Sequence, residues 1–455
     1  MKKNIILFLA LVLSTLSFAQ NINAIEPELQ KVLNQRGDEL IDIQIHFKSS
    51  VNSDQLNQKT RKISKKSDKK NLVVKELQNY AREIQADVLS ILEAEELSGN
   101  VSDIHSLWIV NSISCKASAS VIYKLSSHPD IKIIGYDKEI QMISPKQMEE
   151  NLKVQPAVMP RAGGPDAHVQ AVEAQKVWWE QGYTGKNVVV AVLDSGTNTN
   201  HLDLKDHLWT GYVDTNNDGT PDTYVNGWNY VSNNSDITDD YGHGTHCAGI
   251  VCGDGTSMVT TGIAPDALLM TLKTINRAGG GSVTQMINGV QFAVENGADV
   301  LSMSLGFKNS QLTATQKETI RSTFDNVLAA GVVVCAAAGN DGNTYGAPDN
   351  VDYPAACPAP WTNPDQTLKG GNSSVICVGA HDLGDSSRGP STWEGTSYND
   401  YPYNGGESMG LIRPDISAPG YIIRSTKYNN NEIYELKSVT SQATPIVAGV
   451  IALML

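Results

Sequence analysis

Cysteine is scarce in this sequence, with six residues in 455, and that excludes a disulfide scaffold. Long apolar runs are missing too. The longest, Ile5 to Leu13, is shorter than the roughly 20 residues a membrane span needs, so no membrane anchor is expected. Positive charge is short in the larger part of the chain. Residues 1–150 hold 19 basic and 19 acidic side chains, whereas residues 151–455 hold 16 and 30, which accounts for the whole net charge of −14. An acidic body argues against nucleic acid as a partner.

What is present begins with Met1-Lys2-Lys3-Asn4, the short apolar run and Ser17-Phe18-Ala19-Gln20. A basic start, an apolar centre and a small-x-small site make a signal peptide over residues 1–19, cut after Ala19. A secreted protein, extracellular or periplasmic, is expected. A length of 455 residues suits two or three domains, and 40% hydrophobic residues support a sizeable core. Seven Trp and sixteen Tyr argue against disorder. Cys335 and Cys377 lie in apolar, strand-like runs and are read as buried. Cys247 follows His243 by four residues, so a helix would put it one turn beneath the imidazole. A small core residue is its plainer reading.

Residues 20–145 read as a small α+β domain. Ile41–Phe47 alternates apolar and polar side chains, as a half-buried strand does. Seven Lys/Arg fall within 59–70 and read as a solvated helix face or loop. Val73, Leu77, Tyr80, Ile84, Val88 and Ile91 recur at helical spacing and predict one long amphipathic helix. A strand near Leu107–Ser114, a short helix near Ser120–Leu125 and a strand at Ile131–Tyr136 follow. Residues 146–168, rich in Pro, Gly, Gln and Met, read as a linker. From Val169 the strands become continuous apolar runs: Val188–Leu193, Ala267–Leu272, Val300–Leu305, Val332–Ala338 and Ser374–Gly379. Runs apolar on both faces belong to parallel sheets covered by helices. Helical segments such as Ser282–Asn296 and Ala314–Ala330 fall between them. The fold class expected for 169–455 is therefore α/β, a doubly wound, mostly parallel sheet with its chemistry beyond the strands' carboxyl ends.

Three residues carry that chemistry. Asp194 ends an apolar strand, His243 stands in Tyr241-Gly242-His243-Gly244-Thr245-His246, and Ser441 opens a helix-like run, Thr440-Ser441-Gln442-Ala443-Thr444-Pro445. A Ser hydroxyl is a poor nucleophile until a base takes its proton. An imidazole titrates near neutrality and suits that role, and a carboxylate on its other nitrogen holds the tautomer. Pro445, expected in a first helical turn, puts Ser441 near a helix N-terminus, where backbone N–H groups favour developing negative charge. Taken singly, Asp194 is an ordinary strand end, His243 a loop imidazole or one half of a metal pair with His246, and Ser441 an N-cap. The metal pair fails because His-x-x-His lacks the zincin Glu.

In this order and these contexts, residues 169–455 resemble the subtilisin-like serine proteases, whose triad runs Asp, His, Ser along the chain. Gly182-Tyr183-Thr184-Gly185-Lys186 leads into the Asp194 strand as in that family. The resemblance implies a secreted serine endopeptidase acting through an acyl-enzyme, with polypeptide substrates and no cofactor for catalysis. It implies that Asn340, in Ala338-Gly339-Asn340-Asp341-Gly342, donates its amide to the oxyanion; the well-known example of such a donor is an Asn in this same family. It implies that Ser304-Leu305-Gly306 and Gly279-Gly280-Gly281 flank an extended substrate and bind it by strand addition, although the glycine run also reads as a flexible turn. Residues 20–145 resemble the family's propeptide, a ferredoxin-like inhibitor and folding assistant, with Trp108 to Ile113 and Ile131–Tyr136 as its best marks. The chain would then be a zymogen matured within the linker.

Asp214, Asn216, Asp218, Thr220 and Asp222 place oxygens at alternate positions with Gly219 after the third. That pattern matches the first nine positions of an EF-hand loop, without the Glu at the twelfth, where Val225 stands. A structural calcium site and a polar insertion closed by Asx turns both fit. Three departures from the family stand out. Val439 replaces the usual Gly before Thr440-Ser441, and a β-branched residue resists φ > 0. Gln442 and Ile446 replace a usual Met and a frequent His. The sequence also stops inside the apolar helix after Ser441, as expected of a C-terminally incomplete chain. Gly406-Glu407-Ser408-Met409-Gly410 fits the α/β-hydrolase elbow, but that fold needs a later His, and the last is His381. The remaining alternative is a catalytically impaired module that binds peptides or partners.

Overall fold

The computed structural model describes residues 24–36, 39–142, 164–213, 223–341, 351–357, 374–383 and 413–455. The signal peptide, all of the linker except 164–168, the Asp214 to Asp222 loop and the Gly406 to Gly410 motif lie outside the described residues.

The N-terminal unit is a four-stranded antiparallel sheet. Its strand order is Val101–Leu107, Ser112–Ala117, Ile41–Phe47, Ile131–Tyr136. With the helices Lys66–Glu96 and Ala119–Leu125 the chain order is βαββαβ, the split ferredoxin-like arrangement. The expected strand near Leu107–Ser114 is in fact two strands. Trp108–Val110 makes a tight turn between them, closed by Asn111 at φ 49°, a left-handed conformation that Asn tolerates. Ile41–Phe47 is buried along nearly its whole length rather than on one face. Ile41, Ile43 and Ile45 meet the unit's own core, while His46 reaches the second unit, 3.4 Å from Thr319 Oγ1. The basic run is a solvated face at Lys59, Arg61, Lys62, Lys65 and Lys66, which are exposed, and its last residue departs from that. Lys70 is buried, its Nζ donating to Ala298 O at 2.6 Å with the Asp299 carboxylate 3.7 Å away.

The second unit is a seven-stranded parallel sheet. Its order is Ile416–Pro419, Ile376–His381, Val333–Ala337, Val300–Met303, Val189–Asp194, Leu268–Lys273, Gly227–Asn229. The continuous apolar runs exist because successive residues enter different layers. Ala191, Leu193, Leu301 and Met303 pack under Val283–Glu295 and Ala314–Ala330. Val190, Val192, Val300 and Cys335 pack under His243–Cys252 and Thr440–Met454. Helices on both faces make the sheet doubly wound, as the sequence predicts.

The two units share one core. Val73, Leu77, Trp108 and Ile109 belong to the same apolar cluster as Met286, Val290 and Phe324. Polar contacts seal the seam. Ile109 N donates to Gln291 Oε1 (3.0 Å), and Asn326 Nδ2 donates to Ile109 O (2.7 Å). Asp137 accepts from Ser282 Oγ (2.9 Å) at the start of the Val283–Glu295 helix. Among the described residues, no helix is long and apolar enough to cross a membrane.

Candidate active site

Asp194 is the last residue of a strand in the interior of the sheet, so its side chain emerges at the carboxyl edge. The chain turns at once through Gly196 at φ 112°, a conformation that favours glycine. A Cβ on Gly244 would lie 2.2 Å from Gly196 O. The helix that begins at His243 therefore starts in direct contact with the strand end. His243 Nδ1 donates to both Asp194 oxygens, at 2.8 and 2.9 Å, and both residues are buried. In the neutral ring, with its proton on Nδ1, Nε2 is unprotonated, and that buried atom has no hydrogen-bond partner. Burial disfavours the imidazolium, but the Asp194 carboxylate outweighs it and holds His243 above the ordinary histidine range.

Asp239 organises this junction, and the sequence reading did not single it out. Its Oδ1 accepts from Ser195 Oγ, Tyr241 N and Gly242 N, and its Oδ2 accepts from Thr245 N and Thr245 Oγ1. Ser195 Oγ in turn accepts from Gly244 N. One carboxylate thus takes the Gly242 and Thr245 N–H groups at the start of the His243 helix and, through Ser195, ties that start to the Asp194 strand. The available signal was an acid just ahead of a helix start, in Asp239-Asp240-Tyr241-Gly242-His243.

Ser441 lies in the first turn of Thr440–Met454, buried, with Pro445 one turn further on. Its carbonyl accepts from Ser304 Oγ at 2.7 Å, and its own Oγ contacts Ser304 O at 3.4 Å. Cys247 Sγ sits between the two helices, 3.5 Å from Ser441 O and 3.8 Å from His243 Nδ1. Burial pushes its thiol up, so it stays neutral. Asp194 and His243 are therefore hydrogen-bonded, and Ser441 is brought to the same junction. In this conformation, however, the Ser441 hydroxyl points to Ser304 O and not to the imidazole. Val439, just ahead, stands at φ 112° and ψ −176°, a region reserved essentially for glycine.

Asn340 meets the Ser441 helix directly. Its Oδ1 accepts from Thr440 N (3.1 Å) and Thr440 Oγ1 (2.8 Å), so its amide nitrogen is the opposite end of the side chain. Asn340 and Ser441 line one cavity of about 300 Å³, together with Ser304, Leu305 and Gly306. The glycine run is both a turn and a strand. Asn276 Oδ1 closes the turn by accepting from Ala278 N and Gly280 N. Gly280–Gly281 then pairs antiparallel with Ile140–Gln141. Met142 N donates to Gly279 O (3.0 Å), and Gly306 N donates to Met142 O (3.3 Å). Gly279, Gly280 and Gly281 on one side and Gly306 on the other thus grip this chain's own Ile140–Met142 as an extended strand.

His246 faces away from this site. Its Nε2 lies against the carbonyls of Ile423 and Glu435, and burial holds the ring well below its ordinary range. It forms no metal pair with His243.

Comparison with known proteins bears on the same residues. The profile of the Subtilase family matches residues 185–455. Subtilisin DY of Bacillus licheniformis is 32% identical over 287 residues, which cover 63% of this chain and 83% of that protein. Subtilisin E of Bacillus subtilis (strain 168) is 32% identical over 275 residues, covering 60% of this chain and 57% of that one. The major intracellular serine protease of the same organism is 29% identical over 326 residues, covering 71% and 80%. A solved structure, of a cold adapted subtilisin-like serine proteinase, aligns over 60% of this chain and 77% of its own at 26% identity, with a TM-score of 0.43.

Proposed function

The chain belongs to the subtilase family of serine peptidases, and from that premise we propose that it is a secreted endopeptidase made as a zymogen, with Asp194, His243 and Ser441 as its triad. The observation that carries this reading is the buried His243 ring. Its Nδ1 is held by Asp194, its Nε2 is unpartnered, and Cys247, one turn along the same helix, touches the Ser441 carbonyl. The reading adds one bond, from the Ser441 hydroxyl, now turned to Ser304 O, to Nε2. Such bonds are often long in unliganded enzymes and tighten with substrate.

In the proposed reaction His243 Nε2 takes the Ser441 proton as Oγ attacks the substrate carbonyl. Asp194 stabilises the imidazolium. The oxyanion takes its hydrogen bond from the Asn340 amide. The imidazolium returns the proton to the leaving amine, and water releases the acyl group by the same steps in reverse roles. Residues 20–145 act as the inhibitory propeptide, a reading supported by Ile140–Met142 lying paired in the cleft. Maturation cuts the chain within the linker, residues 146–168, and residues 1–19 direct export. Calcium at Asp214, Asn216, Asp218, Thr220 and Asp222 belongs to the proposal on oxygen spacing alone, and no step of the chemistry passes through it.

A second reading is favoured by one observation. Val439 holds a glycine-type conformation next to Ser441, which would suit a module that binds peptide without cutting it. A fluorophosphonate probe separates the two. Expected is labelling of the protein at Ser441 and a processed N-terminus on sequencing, both abolished in Ser441→Ala. No labelling of the parent protein supports the binding module.

A further inference from the structure

The cavity beside Ser441 carries a charge that none of the contacts so far explains. Asp352 lies half-buried in its wall. Its backbone is fixed by N–H donation to Ala338 O (3.1 Å). Two glycines make room for its side chain. A Cβ on Gly306 would stand 2.6 Å from Asp352 Cβ, and a Cβ on Gly339 would stand 2.8 Å from Asp352 Oδ2. The carboxylate therefore sits between the segment that grips the extended strand and the segment that carries Asn340.

The neighbouring charges do not cancel it. Lys308 and Asp341 line the same cavity and pair with each other, Nζ to Oδ2 at 2.9 Å. One lysine thus serves two carboxylates, Asp341 and Asp352, and the described residues of the wall keep one negative charge in excess. Burial first, and Asp341 second, push its carboxyl up to about 7, while Lys308 pulls it down. That balance marks a carboxylate short of positive company.

Resting on the peptidase reading above, we infer that this cavity selects a basic side chain, Lys or Arg, on the residue whose carbonyl Ser441 attacks, with Asp352 as the specificity-determining group. A peptide that continues the line of Ile140–Met142 toward Ser441 brings that residue against the cavity shared by Ser441, Asn340 and Asp352. A cation there replaces lost solvation with an ion pair in a partly enclosed site, where such a pair gives selectivity above all. An acidic side chain would meet an unpaired like charge and be rejected.

The test uses enzyme obtained from the full chain after processing, and peptides that differ only at the residue ahead of the cut. Expected is a kcat/KM about tenfold or more higher for Lys and Arg than for Met, and higher again relative to Glu. Asp352→Asn brings the Lys-to-Met ratio close to one, and Asp352→Glu retains it, which separates loss of charge from loss of fold. Equal rates for Lys and Met in the parent, or a preference for Met or Glu, overturn the inference while leaving the peptidase reading intact. Failure to cut any peptide, together with failure to react with fluorophosphonate, overturns the peptidase reading itself.

Discussion

Val439 is where a single residue costs this molecule most visibly. Its N–H donates to Gly420 O at 2.7 Å, and its φ of 112° orients the chain into the Ser441 turn. A non-glycine residue there stores about 1–3 kcal/mol of strain. Replacing it by Gly removes the strain and costs about 0.5–1 kcal/mol of chain entropy. Both Val439→Gly and Val439→Ala give up the buried valine side chain, and only Gly relieves the strain, so Val439→Gly should be more stable than Val439→Ala by about 1 kcal/mol, read as a higher urea midpoint with an unchanged slope. A lower midpoint would show that the turn does not need the glycine conformation. The departure was legible in the sequence as a Val where the family has Gly; the dihedral angle turns it from an oddity into a strained site.

At the scale of elements, what was legible follows from periodicity. The parallel strands, the Ala314–Ala330 helix and the long helix of the N-terminal unit stood out because one or both faces are apolar over several turns or pleats. What was missed depends on contacts distant in sequence. Ile41–Phe47 and Lys70 read as half-exposed because nothing local announces that the peptidase unit covers them. Asp239 escaped because its five bonds come together only when the Asp194 strand and the His243 helix meet. That junction carries a pH signature. In the proposed reaction only neutral His243 accepts the serine proton, and Asp194 raises its affinity for a proton above the ordinary value of 6.5. Activity should therefore rise with pH, with a kcat/KM midpoint above 6.5. Asp194→Asn should move that midpoint down while cutting the rate by roughly 10⁴-fold. An unmoved midpoint in Asp194→Asn would mean that another group sets the profile.

The whole molecule joins two units through one continuous core and one strand. The ferredoxin-like unit rests on the Val283–Glu295 and Ala314–Ala330 helices, and its Ile140–Met142 stretch passes between Gly279–Gly281 and Gly306 at the cavity that Ser441 also lines. The arrangement puts a stretch of the protein's own backbone where a substrate is proposed to lie. It also makes the placement of Asp194, His243 and Ser441 a property of the assembled sheet rather than of any one segment, since they come from three elements far apart in the chain. If the three act as a unit, removing one removes what the others contribute. Peptide hydrolysis by Ser441→Ala, by His243→Ala and by the double variant measures this directly. Each single change should lower kcat by about 10⁶-fold, the loss known for a subtilisin triad, and the double change should lower it no further. Losses that multiply in the double variant, or a single variant that keeps most of its rate, would contradict it.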